Sequence, residues 1–349
     1  MTTGTGSDAM STASSRGAEV SGGAIVTVTV VICAYTQDRW DQIEAAVTSV
    51  RNQTTMPEQV VLVIDHNDEL LQRATTAFPD ITVLANAGPR GLSGGRNTGL
   101  AVSRGDVVAF LDDDAEAEID WLHCLVRHYA DPDVIGVGGR AVPAWDRGQP
   151  RWLPTEFLWV VGCSFTGQPT RVTPVRNMLG CNMSFRRAAL DGIGGFDPAL
   201  GRVGKNPIGC EETEFSIRLR RRHASGEILY DPAAGVRHLV TTERATWSYF
   251  RRRCYCEGRS KAVVTCLAGA ESGLSAEREY TRSTLPRGVA RELRCSMADP
   301  AGLLRAATIV AGLAITAGGY LSGRARHLAN TPAGVVPMRP LATTRVEER

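Results

Sequence analysis

Three neighbouring carboxylates, Asp112, Asp113 and Asp114, close the apolar run Asp106 to Leu111 (DVVAFL). Set side by side they repel one another, and a hard cation relieves that repulsion. Magnesium and manganese take oxygen ligands and keep substrate phosphates in their shell, so the pattern suits a site for a metal and a diphosphate. The competing reading is a helix start, where aspartate is also favoured. A second acidic group, Glu211-Glu212-Thr213-Glu214, precedes a helical pattern through Phe215, Ile217 and Leu219. A glutamate there could take a proton from a hydroxyl, or the acids could simply complement a helix N-terminus. Arg96, in the glycine-rich stretch Gly91 to Gly99, has the fork to hold a phosphate, or it caps a helix. Asp65-His66-Asn67 could bond a base or ribose, against a plain Asx turn. His238 is either structural or a metal ligand.

The elements that must position these residues alternate along the chain. Ile25 to Cys33 reads as a strand buried on both faces, and Asp38 to Arg51 as a helix. Gln59–Ile64 and Ile81–Leu84 read as strands, Leu70–Ala77 as a helix, and Gly99–Ser103 as the end of another helix. Trp121, Leu122, Leu125, Val126 and Tyr129 mark one face of a further helix. Such alternation implies βαβ units and an open parallel sheet, with ligands beyond the carboxyl ends of its strands. Ala34-Tyr35-Thr36, Asp65-His66-Asn67 and Asp112-Asp113-Asp114 then meet at one edge.

From about 140 the pattern changes. Trp145, Trp152 and Trp159 are interleaved with prolines, and glycines gather near 180, 194 and 201–209. This half reads as loop-rich with fewer strands, suited to recognising a second substrate. Residues 266–330 read as helical. Within them 306–323 carries no charge and falls inside the roughly 17–25 residues a membrane helix needs. Its glycines and flanking Arg305 and Arg324 leave a buried or interfacial helix as the other reading. Residues 1–23 and 331–349 are expected to be flexible tails.

Composition removes several classes. Lysine and arginine total 39 against 37 acidic residues, a net charge of +2, so no global field points to nucleic acid. Nine scattered cysteines suggest neither a disulfide framework nor a zinc finger and fit a reducing cytosol. The G-x-G-x-x-G spacing and a P-loop lysine are both absent, which argues against NAD enzymes and P-loop NTPases.

Taken in order, Val31-Ile-Cys-Ala-Tyr-Thr36, Val63-Ile-Asp-His-Asn67, Gly94-Gly-Arg-Asn-Thr-Gly99, Phe110-Leu-Asp-Asp-Asp114, Asn182-Met-Ser-Phe-Arg186, Gly195-Phe-Asp197 and Cys210-Glu-Glu-Thr-Glu214 form a specific series. Over residues 25–265 the chain resembles a family 2 glycosyltransferase of the GT-A fold. That resemblance implies an α/β fold, with an open, mainly parallel sheet flanked by helices. Its Rossmann-like sugar-nucleotide half would be 24–140, its acceptor half 141–265, and 266–330 a helical extension. The resemblance places Ala34 and Tyr35 along the nucleotide base and Asp65 with His66 at its edge. Arg96 approaches the donor, Asp112 meets ribose or metal, and Asp114 meets the metal. Asn182 and Glu214 lie near the donor sugar and acceptor, His238 contacts phosphate or metal, and Glu212 is the catalytic base, a role Glu211 could also fill. It further implies a nucleoside-diphosphate sugar, a hydroxyl-bearing acceptor, Mn2+ or Mg2+, and inversion at the anomeric carbon.

The sequence departs from the family pattern at two places. His66 stands where a second acid is usual, leaving the base identity open, and the usual Glu-Asp pair reads Glu-Glu. A nucleotidyltransferase would need basic residues after the first strand, which Ala34-Tyr35-Thr36 does not offer. A non-catalytic sugar-nucleotide-binding protein is the remaining alternative. A cytoplasmic enzyme is expected, with peripheral contact through 306–323 at the inner face of the cell membrane as one reading of that segment.

Overall fold

A computed structural model describes residues 26–202, 209–269 and 273–330. Both expected tails lie outside the described residues. Runs of β-branched residues build β1 (Val28–Ala34), β2 (Gln59–Ile64), β3 (Thr82–Ala85) and β4 (Val107–Asp112), all parallel and ordered β3-β2-β1-β4. The connecting helices are α1 (Trp40–Arg51), α2 (Asp68–Ala77) and α3 (Leu92–Val102). On one face Ile43, Val47 and Leu70 of α1 and α2 pack on Ile32 and Leu62. On the other, Val31, Val63 and Phe110 meet Phe185, Phe196 and Phe215. Phe196 and Phe215 stack with centroids 4.2 Å apart.

The glycine-rich stretch Gly91 to Gly99 forms most of α3. Its glycines answer to packing: a Cβ at Gly99 would lie 2.3 Å from Val31 Cγ1, so only glycine lets the helix lie this close to β1.

The chain continues through β5 (Ala115–Ala117), α4 (Trp121–Val126), β6 (Val134–Trp145), β7 (Thr173–Pro174), β8 (Asn182–Arg186), α5 (Glu211–Arg222) and β9 (Glu227–Val240). β8 is antiparallel to both β4 and β6, β9 runs parallel to β6, and β5 and β7 are antiparallel to β9. The result is one mixed nine-stranded sheet whose β3-β2-β1-β4 side is parallel. The half read as loop-rich therefore holds the longest described strand, β9 with 14 residues, and receives the end of the 12-residue β6. Glycines and Pro143 in β6, and register shifts along its pairing with β9, break the alternation by which a strand is recognised.

Four further helices complete the fold. These are α6 (Trp247–Ala268), α7 (Ser275–Glu279), α8 (Leu285–Cys295) and α9 (Ala301–Asn330), with a π-helical turn Tyr280–Thr284 joining α7 to α8. A Cβ at Gly319 would meet Tyr255 O at 2.1 Å, and one at Gly258 would meet Thr316 O at 2.0 Å. Small residues thus let α9 lie directly on α6. Its opposite side shows an exposed apolar stripe of Leu303, Ala307, Val310, Ala314, Ala317 and Leu321, spaced four and three residues apart. Ala301–Arg326 is long and apolar enough to cross a membrane, but a third of its most apolar stretch (33%) is buried against the protein.

Candidate active site

Strand register brings the polar ends together. Ala34 lies opposite Ile64, Cys33 opposite Asp112, and Asp65 N–H donates to Ala34 O at 2.8 Å. The acidic triplet does not cap a helix, because β5 follows it. Instead β5 pairs with β9, placing Ala115 opposite His238, and Leu239 N–H donates to Asp114 O at 2.8 Å. His238 thereby reaches Asp114, Nε2 to Oδ1 3.2 Å, while its Nδ1 lies 3.8 Å from Cys163 Sγ.

Each aspartate has its own surroundings. Asp112 is the most accessible, and Arg96 reaches its Oδ1 at 3.3 Å. Asp113 Oδ1 accepts from Arg39 at 2.9 Å while its buried Oδ2 has no partner. Burial, together with the adjacent Asp114 and Asp112, outweighs Arg39 and pushes Asp113 up to about 7. Asp114 is buried too, but His238, Arg244 (2.8 Å) and Arg39 (3.2 Å) hold it well below the usual carboxylate range.

A divalent ion fits these residues. One ligand atom each from Asp112, Asp114 and His238 lie within 4.8 Å of one another, a two-oxygen, one-nitrogen set suited to manganese. A Cβ at Gly162 would come within 3.1 Å of the His238 ring, so glycine leaves room for the imidazole.

The two glutamates at the start of α5 are equally distinct. Glu211 is buried in a pair with Arg96, Nη1 to Oε1 2.7 Å. Glu212 is partly exposed and accepts from the neighbouring Thr213 hydroxyl at 3.1 Å. Desolvation by the surrounding protein, and then the negative Glu211, push Glu212 up to about 7. A carboxyl poised near neutrality is matched to proton transfer.

A cavity of about 1090 Å³ has Arg96, Asp112, Glu211, Glu212 and His238 in its walls. Other expected site residues lie outside that lining. Tyr35 is exposed, with the Arg39 guanidinium 5.4 Å from its ring centroid, and Ala34 is buried beside it. Asp65 accepts from Asn86 at 2.7 Å and from Gly91 N–H at 2.9 Å, so it also fixes the start of α3. His66 Nδ1 donates to Asp65 Oδ1, 2.9 Å away, from a left-handed backbone with φ 51°. Asn67 caps α2 by accepting from Leu70 N–H at 3.0 Å.

Three residues occupy places different from those expected. Arg96 is 2% exposed and divided among Glu211, Asp112 and Gly180 O, so it braces the site and does not present a free fork to phosphate. Asn182 is fully buried, accepting from Trp121 Nε1 at 2.8 Å and donating to Arg140 O and Ala234 O. Glu214 is engaged by Arg218 one turn along α5, at 2.7 Å. Arg39 and Arg244, which hold the aspartates, were not singled out by the sequence. An arginine beside a turn carries no signal of its own.

This sheet, with acids at its parallel edge and two glutamates at a helix start across a cavity, is that of a GT-A glycosyltransferase. The Glycosyl transferase family 2 model matches residues 29–194. The chain is 37% identical over 245 residues to the glucosyl-dolichyl phosphate glucuronosyltransferase of Haloferax volcanii, spanning 69% of this chain and 78% of that one. It is 30% identical over 176 residues to the pre-mycofactocin glycosyltransferase of Mycobacterium tuberculosis, covering 49% of this chain and 35% of the relative. A Pyrobaculum calidifontis mannosyltransferase solved with GDP-Man and Mn2+ shares the fold, with TM-score 0.54 and 17% identity over 85% of this chain and 87% of that one. The chain belongs to glycosyltransferase family 2 and is a glycosyltransferase.

Proposed function

We propose that this chain moves a sugar from a nucleoside-diphosphate sugar to an acceptor hydroxyl in one inverting displacement, with Glu212 as base. The observation that carries the reading is the contrast across one cavity: Glu211 is neutralised by Arg96, whereas Glu212 faces the space near neutral pKa, with Asp112 and His238 in the same lining. Asp112, Asp114 and His238 would hold a manganese or magnesium ion. Such an ion neutralises charge on a departing diphosphate. Tyr35 offers its exposed ring to the nucleobase, and Asp65 fixes the loop beside it.

In the reaction Glu212 Oε takes the acceptor hydroxyl proton as that oxygen bonds to the sugar's anomeric carbon. The bond from that carbon to the diphosphate oxygen breaks, and its electron pair leaves with the nucleotide. The nine free thiols and the apolar stripe on α9 support a cytoplasmic enzyme resting on the inner face of the cell membrane. The test is nucleoside diphosphate release from a panel of sugar nucleotides, with and without Mn2+. Release that depends on Mn2+ and is lost in Asp114→Ala is expected; a panel in which no donor is bound or hydrolysed would sink the reading.

A further inference from the structure

Glu212 owes its place to the residue that starts its helix. Cys210 stands at φ 72° and ψ 18°, in the left-handed region that a residue with a side chain seldom occupies. Its carbonyl accepts the first helical bond of α5, from Glu214 N–H at 3.0 Å, so the backbone angles at 210 set the direction in which the helix leaves. Glu211 and Glu212 are the first two residues of that helix. Glu211 has Arg96 to fix it, whereas the Glu212 carboxylate is bonded, among the described residues, only by Thr213 of its own turn. Glu212 therefore stands where the backbone at 210 puts it.

A left-handed backbone at such a residue persists only where its surroundings hold it. Here the hold comes from α6. Cys210 Sγ–H donates to Glu257 Oε1 at 3.3 Å, and Gly209 N–H donates to Ser260 Oγ at 3.2 Å. On the same helix Val264 and Ala268 pack with Cys210 and Ile217. Burial, and then Glu257 itself, push the Cys210 thiol well above its ordinary range, so it keeps its proton and donates. Burial opposes ionisation of Glu257, yet Lys261 (3.4 Å) and Arg253 (3.6 Å) hold it below its usual range, so it accepts. Lys261 is fixed in turn by Glu277 of α7 at 2.8 Å. Arg176 of the β7–β8 connection grips Glu277 with two guanidinium nitrogens, at 2.6 and 2.9 Å. A line of bonds thus runs from the helical extension to the residue that aims Glu212.

Resting on the reading of Glu212 as base, we propose that Cys210 is a positioning residue for it: the thiol, anchored on Glu257, locks the left-handed turn that aims the start of α5 into the cavity. A glycine takes the same turn but is free to leave it. A serine keeps the anchor, because its hydroxyl donates as the thiol does.

The test compares Cys210→Ser, Cys210→Gly and Cys210→Ala in the full chain. Turnover is followed with the sugar nucleotide hydrolysed most rapidly in the presence of Mn2+. Cys210→Ala should lower kcat by about 10–100-fold and leave the donor KM within about twofold, the mark of a displaced base with donor binding intact. Cys210→Ser should stay within about threefold of wild type, with Cys210→Gly between the two. A second readout needs no donor. In the ligand-free protein the Glu212 carboxyl is titrated by infrared difference against Glu212→Gln. Its midpoint, about 7 in the wild-type chain, should move down by about one pH unit in Cys210→Ala as the turn relaxes and the carboxylate gains water. The charged groups acting on Glu212 are Glu211, Lys261, Glu257, Arg176 and Arg96, and all of them are kept in the Cys210 variants. A moved midpoint therefore reports the place of the carboxylate.

Equal losses in Cys210→Ser and Cys210→Ala overturn the proposal, since the hydroxyl then anchors nothing. So does wild-type turnover in Cys210→Gly, which makes the turn sufficient without the anchor. A loss of kcat in Cys210→Ala with the Glu212 midpoint unmoved overturns it as well, leaving Cys210 a packing residue. Glycine carries no strain in the left-handed region, so Cys210→Gly against Cys210→Ser decides the matter if Cys210→Ala fails to fold. Failure of the transferase reading shows separately, as absent sugar-nucleotide hydrolysis, and the infrared titration still reads Cys210 in that case.

Discussion

The two ends of the cavity are built in opposite ways. The donor end rests on strand termini, and its acids follow one another in the chain at Asp112-Asp113-Asp114. The far wall, which includes Arg176, Lys261 and Glu277, is assembled from helices and a loop, with Arg176 bonded to Glu277 101 residues away in the chain. A parallel sheet fixes its edge once the register is fixed, so the donor end is rigid and generic to the fold. The far wall depends on how α6, α7 and α9 pack.

Changes at the donor end should cost most. Asp114→Ala removes a carboxylate from the set around His238, and turnover should fall by about 10³-fold or more, as expected when several kcal/mol of charge stabilisation at the leaving group is lost. A variant that keeps near-wild-type turnover would detach the metal from the reaction. Arg96→Ala acts on both ends, since it strips Glu211 of its partner. Breaking a buried pair costs about 3–5 kcal/mol, so a large fall in the unfolding midpoint is expected in denaturant titration. An unchanged midpoint would mean that Arg96 is not the brace between the sheet edge and α5.

These two ends also differ in how far the sequence discloses them. Alternating strands and helices point to the parallel half of the sheet, and the three strand ends to its edge, because β-branched runs and polar termini are local signals. α3 is hidden by its glycines, whose purpose is contact with β1. Arg253, Glu257 and Lys261 follow an i, i+4 spacing that reads as a solvated helix face. Only the packing of α7 and α9 turns that face into a cavity wall. Arg39 and Arg244 are silent for a similar reason: their meaning lies in aspartates far away in the chain. Asn182 was legible as a position but not as a role, since three hydrogen bonds claim it for the scaffold.

Smaller effects sharpen the comparison. With the Glu212 carboxyl pushed up to about 7, turnover at saturating donor should drop about tenfold for each pH unit below that value, because the base must be ionised. The same shift has a stability consequence. The folded chain holds this proton more tightly than the unfolded one, whose glutamate titrates near 4.5, so the ligand-free protein should lose stability as pH rises between 4.5 and about 7. A Glu212→Gln protein should lack that component in melting curves taken across the range. At the outer edge of the donor end, Tyr35→Ala should raise the donor KM by roughly fivefold, the value of about 1 kcal/mol of base stacking. No change in KM would place the nucleobase elsewhere.

The central claim is that Glu212, and not its paired neighbour, performs the proton transfer. Donor Kd and transfer turnover measured side by side for Glu212→Gln test it most directly. Turnover should fall by about 10²–10⁴-fold while the donor Kd stays within about twofold of wild type. Turnover close to wild type, or a loss that follows entirely from weakened donor binding, would contradict it.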